Sequence, residues 1–82
     1  MGKGAPVKHS SIPTKAIVEI FAWEGMLYEA QRLLGSVLKD ILDGNDSPEN
    51  WVALDTHRKA AVFYSMQYTK AILSLQHSQN RG

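Results

Sequence analysis

Between Ile20 and Ile41 the apolar residues fall at alternating spacings of three and four: Ile20, Trp23, Leu27, Ala30, Leu34, Val37, Ile41. That rhythm marks a helix lying lengthwise along a neighbour, because a strand would repeat every second residue instead. Met26, Leu33 and Leu38 widen the apolar face beyond the narrow seam of a simple two-stranded coiled coil. The opposite side carries Glu29, Arg32, Ser36, Lys39, Asp40 and Asp43, a face suited to water. Gly25 and Gly35 each lower helix propensity by about 1 kcal/mol relative to Ala, and close approach of another helix is one reason to keep them.

Local chemistry sets the expected ends. Thr14 is an N-cap candidate and Gly44 suits the position after the last turn, so the first helix is expected over about 14–43. The run Ala16-Ile17-Val18-Glu19-Ile20-Phe21 is rich in β-branched residues and is also compatible with a short strand over 15–21. With no second strand to pair with, helix is favoured. A turn follows over 44–47. Ser47 then caps a second helix, Pro48 fits its first position, and Glu49 complements the positive end of its dipole.

The second helix is expected over about 48–77, with two apolar stripes. Leu54, Ala61, Tyr64, Tyr68, Ala71, Ile72 and Leu75 share one side; Trp51, Val62, Met66, Thr69 and Leu73 share another. Lys59, Gln67, Lys70 and Ser74 form a wet strip between them. A surface helix needs one apolar stripe, so two imply neighbours on two sides. Asp55 and Thr56 favour caps over helix interiors. A break there would leave 48–54 as a third short helix folded over the second stripe in a monomer. Without the break, the fold is an all-α antiparallel helical hairpin that pairs into a four-helix-bundle homodimer. Its core would be Ile20, Trp23, Leu27, Leu34, Ile41, Tyr64, Tyr68, Ile72 and Leu75, giving one helical domain over 14–77 between a basic tail (1–13) and a short tail (78–82), both expected to be disordered.

Composition narrows the choice of support. A chain of 82 residues with no cysteine has neither disulfides nor thiolate metal sites, leaving helix packing and association. Absence of cysteine fits the reducing cytoplasm, the expected location. A net charge of +1 gives no strong field for nucleic acid or an anionic membrane. No apolar run is long enough to span a bilayer, no secretory h-region is visible, and Pro6 stands where a myristoylation pattern wants Ser or Thr.

Chemistry-bearing motifs are weak. The cluster Asp43, Asn45, Asp46, Glu49 fails as a calcium loop, since Pro48 occupies the glycine position and Leu54 that of the closing glutamate. His9, His57 and His77 are scattered, and no carboxylate or second histidine stands one turn from His57. Glu24 sits at the margin of the apolar face, where it either lies at the edge or meets a cation on a partner helix. Tyr64 and Tyr68 read as core rather than as a stacking platform, because no basic ladder flanks them. No catalytic residue, metal or cofactor is expected.

The alanines and leucines, acidic turn and alanine-rich second helix of Ile20 to about Leu75 resemble short two-helix proteins of unknown function from bacteria such as pseudomonads. The resemblance implies a hairpin and carries over no functional residue. The expected function is therefore a small non-enzymatic protein–protein interaction module or regulator. It acts as a homodimer, with a second protein as a further partner, through helix-in-groove contacts at Trp51, Val62, Met66 and Leu73. The alternative is a small nucleic-acid-binding regulator using Lys3, Lys8 and Lys15 with Arg58 and Lys59, against which the small number of cations speaks.

Overall fold

The computed structural model describes residues 13–81 and contains two α-helices, α1 (Thr14–Leu42) and α2 (Pro48–Arg81), packed against each other as a hairpin. The basic tail expected before residue 13, with Lys3, Lys8 and His9, lies outside the described residues. The segment 15–21 is helical throughout. Its β-branched residues have no strand to join, and packing along α2 overrides their modest preference for extended backbone.

The helix ends follow side-chain chemistry, with one correction. Thr14 is already helical, and Pro13 takes the cap position with an extended backbone (φ −64°, ψ 128°) and no side-chain cap bond. The carbonyl of Pro13 accepts from the backbone N–H groups of Ala16 (3.1 Å) and Ile17 (3.3 Å), which begins the helical ladder one residue earlier than expected. At the other end Gly44 adopts φ +108°, the left-handed region that glycine enters without a Cβ penalty. Its N–H donates to the Ile41 carbonyl and that of Asn45 to the Asp40 carbonyl, a paired closure that satisfies two final carbonyls of α1. Ser47 restarts the chain as foreseen: its Oγ accepts from the Asn50 backbone N–H at 3.3 Å. The Asn50 side chain, in turn, donates to the Asn45 carbonyl at 2.7 Å and ties the turn to the new helix.

The possible break at Asp55-Thr56 does not occur, so 48–54 is not a separate helix. Asp55 threatens a helix when its carboxylate competes for backbone N–H groups. Here it is engaged by Arg58 and by Lys59 (3.0 Å), one turn ahead on the helix surface. The helix also continues past His77 to Arg81, so residues 78–81 are helical rather than tail.

The inward seam of α1 (Ile20, Trp23, Leu27, Leu34, Ile41) and that of α2 (Tyr64, Tyr68, Ile72, Leu75) are half-buried, as the periodicity requires. At its centre Ala30 is 5% exposed and is the one apolar residue, among those described, that is buried. Part-buried Ala53, Ala60, Ala61 and Ala71 on α2 leave room for the bulkier side chains of α1. The Trp23 ring lies 6.2 Å from the Phe63 ring at 79° and 6.1 Å from Tyr64. Phe63 and Tyr64 stand edge to face at 5.6 Å. The molecule measures 64 × 20 × 15 Å, a single layer of helix. Nothing in one layer lies far from solvent, which is why so little is buried.

Candidate interaction surface

The hairpin has two broad faces, fixed by side chains that meet across the helices. On one, Met26 and Leu33 of α1 border a shallow hollow with His57, Ala60 and Tyr64 of α2. On the other, the Tyr68 hydroxyl approaches the Glu24 carboxylate at 3.5 Å. Glu24 therefore sits at the margin of the inward seam, as its position suggests, and its neighbour is a tyrosine of its own chain.

Trp51, Val62, Met66 and Leu73 all lie at 47–54% exposure. Val62, Met66 and Leu73 follow one another at spacings of four and seven, so they share a stripe that faces away from α1. Trp51 stands at the start of α2, and the roughly three turns that separate it from Val62 return it to the same side of the helix. Thr69 is exposed on the same stripe. Gln67, expected in the wet strip, is part-buried and lines a groove with Ala16, Trp23 and Ala71. The groove exists because Ala16 and Ala71 are small on both helices.

A second run on α1 is as regular as the first, displaced from it by one residue. Ile17, Phe21, Tyr28, Leu38 and Leu42 keep the alternation of three and four if Glu24, Gln31 and Gly35 are counted in the gaps. All five apolar members are exposed, Tyr28 at 67% and Leu42 at 78%. Because Glu24 belongs to this run and reaches Tyr68, the run borders the Tyr68 face of the hairpin. Sequence reading counted Leu38 as a broadening of the first seam and passed over Tyr28 and Leu42. The available signal was the one-residue offset between two equal patterns, obscured by the polar residues and the glycine within it.

Charges rim these surfaces and pair locally. Arg32 donates to Glu29, with Nε at 3.1 Å from Oε1, and Lys39 meets Asp43 at 3.0 Å. The Arg32 hydrogen bond holds the Glu29 carboxyl below its ordinary range, and Glu29 raises Arg32 in return. Asp55 is likewise lowered, first by its hydrogen bond from Arg58 and then by that from Lys59. All are solvent-exposed helix pairs, screened by water, so they add little to the stability of the fold. Both Arg58 and Lys59, the described cations of α2 considered for nucleic acid, are thus occupied by Asp55.

Among the described residues no group of three or more His, Asp or Glu side chains is placed to hold a metal ion. Likewise, among the described residues no helix is long and apolar enough to cross a membrane. Compared with protein-family models, curated proteins and solved structures, the chain finds no match.

Proposed function

We propose that this protein is a non-enzymatic protein–protein interaction module that works as a homodimer, two hairpins pairing layer on layer into a four-helix bundle. The observation that carries the reading is the poverty of the single hairpin's interior. Among the described residues one alanine is buried, no large side chain is fully buried, and Phe21, Tyr28, Leu42, Trp51 and Met66 are left open to water. Small domains need a staple, a metal or association to be stable. With no cysteine in the chain, association is the route that also removes the exposed apolar surface. A second layer supplies the missing interior, and a C2 dimer does so with one kind of surface. In this reading the α2 stripe of Val62, Met66 and Leu73, with Trp51 at its head, either closes the dimer or receives a helix of another protein.

The test is molar mass in solution, by light scattering at tens of micromolar. The expected result is twice the 9.1 kDa of one chain. A mass of one chain across that range would overturn the homodimer.

A further inference from the structure

We draw no further inference here: the strongest candidate, the groove between the start of α1 and the end of α2 lined by Ala16, Glu19, Trp23, Gln67, Lys70 and Ala71, has no buried polar side chain among the described residues, and nothing in the structure shows what fills it.

Discussion

The two helices of the hairpin handle apolar surface differently. Helix α1 carries its bulky residues in two neighbouring seams that merge into one wide arc, half of which grips α2. Helix α2 mixes small and bulky residues on its inward side, Ala53, Ala60, Ala61 and Ala71 beside Tyr64, Tyr68, Ile72 and Leu75, and carries Val62, Met66 and Leu73 on a separate outer stripe. The wide arc is continuous with the existing core, so a second hairpin laid against it would extend that core without a gap. The outer stripe of α2 is set off from the core by Lys59 and Lys70, with Phe63, which packs on Trp23 and Tyr64, as an apolar link between them. Continuity with an interior favours a permanent contact, and separation favours one that forms and releases.

The largest expected effect comes from breaking the inner grip of α1. Trp23→Ala removes the ring that touches both Phe63 and Tyr64 and should cost about 2–4 kcal/mol by urea denaturation, towards the lower part of the range for buried aromatics because Trp23 is only half-buried. Met66→Ala on the outer stripe of α2 should change stability by no more than about 0.5 kcal/mol, as surface substitutions do. Equal losses at the two sites would erase the distinction between them.

A smaller effect sharpens the same comparison at the closest approach of the helices. Ala30 is the buried small residue of α1, and Ala30→Leu forces extra volume between the helices at a cost of about 1–3 kcal/mol, measurable as a lower urea midpoint. An unchanged or raised midpoint would show that the helices sit farther apart than the burial of Ala30 implies.

The smallest effect is electrostatic and belongs to α2. Arg58 and Lys59 depress the Asp55 carboxyl below its ordinary value of 3.8. A group whose folded value is lowered contributes stability that is complete above its unfolded value and disappears as the pH falls through the folded one. Acidification from neutral to below the ordinary carboxylate range should therefore weaken α2 slightly, with Asp55→Asn losing that part of the response in thermal melts. An unaltered acid response in the variant would assign the effect to other carboxylates, such as Glu29, which its hydrogen bond with Arg32 lowers in the same direction.

Much of the hairpin is written in short-range chemistry. The turn at Gly44, the cap at Ser47 and the first seam of α1 each depend on residues within a turn or two, and each is where that chemistry puts it. The cap of α1 is displaced because Pro13 supplies the first accepting carbonyl, leaving Thr14 inside the helix. Continuity through Asp55 depended on which competitor its carboxylate would choose. Arg58 and Lys59 stand three and four residues ahead, the right distance to claim it. Phe63 was invisible as a packing residue because it falls outside the inward stripe of α2, and only the reach of the Trp23 ring draws it in. The second seam of α1 was hidden by its own polar members. An apolar pattern with a glutamate, a glutamine and a glycine in it reads as noise until the structure shows that its remaining residues lie along one open edge.

All of this converges on whether one hairpin is the whole molecule. The direct measurement is the molar mass of the unmodified chain in solution at tens of micromolar, by light scattering or sedimentation equilibrium. Twice the 9.1 kDa chain mass, with helical signal retained, is the predicted result. A helical, cooperatively melting species at the mass of a single chain would contradict it.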